Sequence, residues 1–388
     1  AKADAKGYWE VNLKALEAGG PYQLQITGKD NQISIKDILI GDVWLCSGQS
    51  NMQWVVNNVT NAEVEKKNAN YPQIRTLNIP RRMELSPKDT ISTTWLVCSP
   101  ETVGRFSGVA YFFARKVYEE TNIPIGIINS SWGGTIVETW TSLEAANTLP
   151  QKRLDRYNKN EKLSPPTEYF TRTNKEAKRN DYPSLVYNAM IHPLLSFAIK
   201  GVVWYQGENN VENAEPYTDW LTCMISDWRN RWNSELPFYI IQLPNFDSTN
   251  KTPLWAEIRD AQRKVLTVPK THLIVTSDLG DPHDLHPRNK QEVGMRVALQ
   301  VLHHEYGRPD IVSESPMFER MEINGDKIII TFKNTGSGLE IRSRYGCLQG
   351  FAIAGEDKKF HWALGELKDN RIVIWSPKVP NPVAVRYN

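Results

Sequence analysis

From Gly41 onward, short apolar runs of strand length alternate with longer stretches of helical periodicity. The runs lie at 43–46, 74–79, 125–129, 201–205, 238–242 and 272–277. Between them, Ser107 can cap a helix in which Ala110, Phe113, Ala114 and Val117 share one face. Residues 184–191 read as a buried helix that Pro193 ends or kinks. Residues 216–232 and 255–266 are amphipathic, and 288–306 carries Val293, Val297 and Val301 four apart. Parallel neighbours need a crossover, usually a helix. The alternation therefore predicts an α/β fold with a doubly wound, mainly parallel sheet. Ligands of such sheets sit beyond the carboxyl ends of the strands, so chemistry is expected where the apolar runs break off.

The flanks have a different texture. Residues 8–13, 22–26 and 33–40 alternate as strands between glycine-bearing turns. Beyond Pro316, runs at 321–323 and 327–332 flank Asn324-Gly325-Asp326, a hairpin signal, and 347–353 and 371–375 continue the pattern. The expected organisation is a β-module over 1–40, a catalytic-type domain over 41–312 and a second β-module over 313–388. Residues 141–182 interrupt the α/β pattern. Between 151 and 180 stand nine Lys/Arg against four Asp/Glu, with Pro165-Pro166 inside. This reads as a charged helical insertion, or as a lid or rim for a substrate.

Four breaks carry polar, glycine-bearing turns. The first is Ser47-Gly48-Gln49-Ser50-Asn51, which presents Ser50 as a nucleophile would be presented. A hydroxyl needs a base and an anion-stabilising pocket to act in that way. In Asn129-Ser-Ser-Trp132-Gly133-Gly134-Thr135, paired glycines let backbone N–H groups approach a ligand. In Tyr205-Gln206-Gly207-Glu208-Asn209, an amide could donate to a developing oxyanion. Gln49, Trp132, Glu208 and Asn209 share these turns as candidates for substrate contact or support. In Asp281-Pro-His283-Asp284-Leu-His286-Pro287, His286 precedes a proline suited to a helix start. Asp284, two residues earlier on a loop, is expected to reach the ring Nδ1–H of His286. Asp281 is the other carboxylate nearby.

Several classes drop out. The net charge of +2 is too balanced to argue for nucleic acid. No apolar run reaches the ~18 residues of a membrane span. Phosphate loops, dinucleotide fingerprints and H-E-x-x-H are absent. Cys46, Cys98, Cys223 and Cys347 lie far apart, and His283 lacks further ligands at metal-like spacing. Gly48-Gln-Ser50-Asn-Met52 lacks the second glycine of a G-x-S-x-G elbow.

Taken together, Gly48-Gln-Ser50-Asn, Trp132-Gly-Gly-Thr, Trp204-Tyr-Gln-Gly-Glu208 and Asp284-Leu-His286-Pro-Arg-Asn-Lys290 resemble the blocks of the SGNH hydrolases. More narrowly, they resemble the sialate O-acetylesterases and related carbohydrate acetylesterases. The resemblance implies that Ser50 attacks an acetyl carbonyl and that His286 serves as base, then acid. It implies an oxyanion hole from the Ser50 N–H, a glycine of Gly133-Gly134 and the Gln206 side chain. It implies an O-acetylated sialic acid or an acetylated plant polysaccharide as substrate, no cofactor and no metal, and a secreted or periplasmic protein. Two other functions fit the residues alone. A glycosidase would pair Glu208 with Asp278 or Asp284, and a non-catalytic carbohydrate-binding protein would use exposed Trp.

Overall fold

The computed structural model describes all residues except 1, 12, 15, 160, 165–180, 248–251, 342–345 and 388. The chain divides into two units, 1–298 and 299–388.

The first unit opens with a hairpin of β1 (Gly19–Thr27) and β2 (Gln32–Ile40). Its main sheet has seven strands. In chain order they are β3 (Asp42–Gly48), β4 (Tyr71–Asn78), β5 (Trp95–Cys98), β6 (Ile125–Ser131), β7 (Gly201–Tyr205), β8 (Phe238–Ile241) and β9 (Thr271–Ile274). Their order across the sheet is β5-β4-β6-β3-β7-β8-β9, with every pair parallel except β4–β5. The expected doubly wound sheet is thus present. Parallel strands covered on both faces are apolar throughout, and every residue of β7 and β8 is buried. Trp44 of β3 meets Phe113 edge-on at 5.3 Å, and Trp204 of β7 meets Trp140 and Trp228 edge-on at 5.9 Å. Phe113 belongs to the helix Gly108–Thr121, and Ser107 caps it by accepting the Ala110 N–H at 3.3 Å.

One local expectation needs correction. The alternation at 8–13 forms no strand among its described residues. Tyr8, Trp9, Val11 and Leu13 are all exposed, so the pattern has no surface to pack on. Residues 185–191 are helical and buried as expected, widening over Tyr187–Ile191, and the helix gives way before Pro193 to a tight turn over His192–Leu194. The edge strand β5 lies outside the apolar runs read from the sequence. Of the charged insertion, 165–180 lie outside the described residues. The described part forms the short helices Leu143–Ala146 and Gln151–Leu154.

The second unit holds two antiparallel sheets. One runs β10-β11-β15-β14, over Met317–Asn324, Lys327–Lys333, Arg371–Trp375 and Leu364–Lys368. The other runs β13-β12-β16, over His361–Trp362, Phe351–Ala354 and Ala384–Tyr387. Ile328, Ile330, Phe351, Ile353, Ile372 and Ile374 form the core. The expected hairpin is present: Asn324 pairs with Lys327, and Gly325 takes φ +62° in the two-residue turn. Among the described residues no helix is long and apolar enough to cross a membrane.

Candidate active site

Three strand ends lie level at the centre of the sheet. Gly48 of β3 is in register with Ser131 of β6 and Tyr205 of β7. The turns that follow therefore leave the sheet side by side. Gly48 has φ +134°, a conformation open to glycine. An added Cβ there would stand 2.1 Å from the Tyr205 carbonyl oxygen. Only a glycine lets β3 and β7 close to this distance where the Ser50 turn begins. The turns are stitched by backbone bonds, Trp132 N–H to Gly48 O at 3.0 Å and Gln49 N–H to Tyr205 O at 2.9 Å. The Gln49 side-chain oxygen accepts the N–H groups of Gly207 and Asn209 at 3.2 and 3.3 Å. Asn209 in turn donates from its side chain to Gly134 O at 2.8 Å.

Ser50 starts the one-turn helix Ser50–Gln53 and is half-buried. Its Oγ lies 2.8 Å from Nε2 of His286, 236 residues later in the chain. With Nε2 as acceptor, the ring hydrogen sits on Nδ1. Trp54 stacks flat on the imidazole, with centroids 4.9 Å apart and planes 10° apart. The loop is anchored further by Thr60 N–H to Arg288 O at 3.0 Å.

The role expected of Asp284 needs correction. Its carboxylate accepts the backbone N–H of His286 at 2.8 Å, and Asp281 accepts the N–H of His283 in the same way. An aspartate two residues before an N–H closes a local Asx turn more readily than it reaches the side chain beyond. Among the described residues no hydrogen bond reaches Nδ1. Burial lowers the proton affinity of His286 below the usual imidazole range, the Lys290 charge lowers it further, and Asp284 opposes both. Asp278 is held by Arg296 through two bonds of 2.7 and 2.6 Å, so that carboxylate of the glycosidase pairing is already engaged.

Gln206 also departs from expectation. Its side chain is fully buried. Its two amide hydrogens go to Thr135 O at 3.0 Å and Asn210 Oδ1 at 2.7 Å, and its oxygen accepts the Tyr217 hydroxyl at 3.0 Å. Neither hydrogen is left for an oxyanion. The backbone offers nearer donors. The Ser50 N–H belongs to a first helical turn, which leaves such groups without helical partners. A Cβ on Gly133 would lie 3.2 Å from the Ser50 Cβ, so this turn flanks Ser50. The Gly133 N–H is directed at the Gln53 side-chain oxygen, 2.8 Å away.

Beside Ser50 lies a buried polar layer. Asn51 donates to Glu208 and to the Leu285 carbonyl, and accepts from Lys290. Burial raises the Glu208 pKa, and burial brings Lys290 down to about 7. Beside these turns a cavity of about 340 Å³ is lined by Arg156, Glu208, Asn209, Phe246, Trp255 and Leu285, among others. Sequence reasoning missed Trp54, Gln53 and the grouping of Asn51 with Lys290. The four-residue spacing of Ser50 and Trp54 was the available signal, and it has meaning only once a helix is known to start at Ser50.

Residues 40–303 match the family model described as carbohydrate esterase, sialic acid-specific acetylesterase. The sialate O-acetylesterase of Homo sapiens is 32% identical over 355 residues, covering 82% of this chain and 64% of that protein. The sialate O-acetylesterase of Pongo abelii is 33% identical with the same coverage. This chain thus spans 64% of the length of both relatives. A carbohydrate acetylesterase of known crystal structure from Xanthomonas citri is 36% identical, with a TM-score of 0.89 over 100% of this chain and 84% of that one.

Proposed function

The chain belongs to the carbohydrate esterase family of sialic acid-specific acetylesterases, and from that premise we propose that it is a serine esterase removing O-acetyl groups from a carbohydrate, O-acetylated sialic acid first. The single observation that carries the reading is the 2.8 Å approach of His286 Nε2 to Ser50 Oγ, at the carboxyl edge of a doubly wound sheet. In this reading residues 41–312 are catalytic, and 1–40 and 313–388 are accessory.

As Ser50 Oγ attacks the acetyl carbonyl, its proton passes to His286 Nε2. The negative oxygen that forms is met by the Ser50 N–H and by backbone N–H groups of Gly133-Gly134, the Gly133 N–H turning to it from the Gln53 side-chain oxygen. Collapse expels the sugar oxygen, which takes the proton from His286, and leaves acetyl-Ser50. Water, activated by the same imidazole, then releases acetate. Trp54 holds the ring in plane through its stack, and Asp284 offsets the imidazolium charge while bracing the loop. Gln206 is assigned a scaffolding role. Phe246 and Trp255, with centroids 5.3 Å apart, offer apolar faces to a sugar ring.

A second substrate reading rests on charge. Among the described residues, Asp181, Glu208 and Glu212 line the cavity with Arg156, which favours an acetylated neutral polysaccharide over an anionic sialate. Acetate release from 9-O-acetylated sialic acid and from acetylated xylan, by wild type and Ser50→Ala, tests both. Sialate turnover lost in the variant supports the first reading, and preference for xylan supports the second. Reducing-sugar release that survives Ser50→Ala would instead point to a glycosidase. The family resemblance also supports export to the periplasm or cell exterior.

A further inference from the structure

We infer that Asn51, Glu208 and Lys290 form a buried positioning cluster that fixes the His286 loop onto the Ser50 turn. The inference rests on the Ser50–His286 reading and goes beyond it.

Asn51 follows the nucleophile directly and is fully buried. Its bonds join separate segments. The amide donates to the Leu285 carbonyl at 3.1 Å, on the residue just before His286. It also donates to Glu208 Oε1, on the turn after β7. Its oxygen accepts from Lys290 Nζ, at the start of the helix Lys290–Glu305. The chemistry of the partners fixes which way the carboxamide points. A cation needs the oxygen, and a carboxylate and a carbonyl need the N–H₂ group. One side chain thus ties the nucleophile turn, the β7 turn and both ends of the segment 285–290.

Lys290 is 1% exposed, where lysine is rarely found without a partner. Its Nζ stands 5.6 Å from the centroid of the Tyr205 ring, and its stem packs where a Cβ on Gly108 would come within 3.2 Å. The other oxygen of Glu208 is buried without a hydrogen-bond partner. A carboxyl group and an amine are therefore buried together with Asn51 between them. Such a pair is costly to break from one side only.

The cluster also acts on the base. His286 faces Trp54 and the Ser50 hydroxyl from the nucleophile helix, and Asp284 and Lys290 from its own segment. Lys290 faces Glu208 and Tyr205 from β7 and its turn, and Asp284 from the loop. The Lys290 cation disfavours a proton on His286, so removing it raises the proton affinity of the base.

The test uses the full chain as wild type, Lys290→Met and the double variant Lys290→Met/Glu208→Gln. The double variant removes both buried charges, so it stays informative where the single one fails to fold. Each is measured for kcat and KM on an aryl acetate from about pH 5 to 9, with Ser50 labelling by a fluorophosphonate. The expected result is a 10- to 100-fold loss in kcat, on the order seen for small misplacements of catalytic groups, with KM changed less than about twofold. The acid limb of kcat/KM moves to higher pH in both variants. A folded variant with wild-type kcat and an unmoved acid limb overturns the positioning role while leaving the esterase intact. A wild type that neither turns over nor labels at Ser50 overturns the esterase reading, and this inference with it.

Discussion

Replacing Gly48 by alanine should damage stability and catalysis together, because one glycine serves both. A Cβ at this position would lie 2.1 Å from the Tyr205 carbonyl oxygen, 2.6 Å from its carbon and 3.0 Å from its nitrogen. Those atoms are backbone of a fully buried strand, so no side chain can swing aside. To bring the closest contact to 3.0 Å, β3 and β7 must separate locally by about 1 Å. Holding alanine at φ +134° adds about 1–3 kcal/mol of backbone strain. Losing the Gln49 N–H bond to Tyr205 O adds about 1 kcal/mol. The expected destabilisation is about 2–4 kcal/mol. Ser50 lies two residues on, and a displacement near 1 Å costs about 100-fold in rate. Urea denaturation gives the first quantity, and kcat/KM on an aryl acetate, well below the unfolding range, gives the second. Gly133→Ala is the control. Its Cβ would meet Ser50 Cβ at 3.2 Å and Gln53 Oε1 at 3.3 Å, tight contacts that a flexible glutamine can relieve, so stability should fall by less than about 1 kcal/mol. A Gly48→Ala protein within about 1 kcal/mol of wild-type stability, and within about threefold of its activity, would refute this reasoning.

Gln206→Ala should act mainly on stability. It strands the Thr135 carbonyl, at about 1–3 kcal/mol for a buried polar group left unpaired, while the Tyr217 hydroxyl keeps the backbone carbonyl of residue 206 and the Asn210 side-chain oxygen keeps the Val137 N–H. Measured on folded protein, a kcat loss of about 100-fold or more would mark it as an oxyanion donor after all. The acid limb of kcat/KM should fall below the ordinary imidazole value of about 6.5. The proposed mechanism uses His286 as a neutral base, and its lowered pKa keeps it neutral to lower pH. Activity is complete above that pKa and lost as pH falls through it, so a limb above about 6.5 would contradict the site electrostatics. Trp54→Ala removes the flat stack on the imidazole. At about 0.5–1.5 kcal/mol for such a pair, kcat should drop by about 2- to 12-fold with KM little changed, and unchanged kcat would count against a role for the stack.

The sheet was legible because parallel strands buried on both faces leave continuous apolar runs. Residues 201–205 read as a strand and form β7 without adjustment. The placement of Ser50 and His286 in polar turns was legible because each stands where such order breaks off, and the structure brings the two within 2.8 Å. What the sequence left open depends on side-chain direction. Asp284 stands at a spacing that suits the imidazole and the backbone N–H equally well, and local geometry awards it to the backbone. Gln206 lies one residue past the end of β7, and its burial against Asn210 and Tyr217 is decided by packing from distant segments. Asn51 and Lys290 are 239 residues apart, and no local pattern couples them. The strand expected at 8–13 failed for the opposite reason. Its alternation is real, but those side chains find nothing to bury against.

The central claim is that Ser50 carries the acetyl group between sugar and water. The most direct measurement is mass spectrometry of enzyme quenched in acid during turnover of an O-acetylated sugar, with the peptide containing Ser50 isolated. The account predicts that a fraction of that peptide carries one added acetyl group on Ser50, absent without substrate and absent from Ser50→Ala. Continued acetate release by Ser50→Ala, or acetyl found on another residue while Ser50 stays bare, would contradict it.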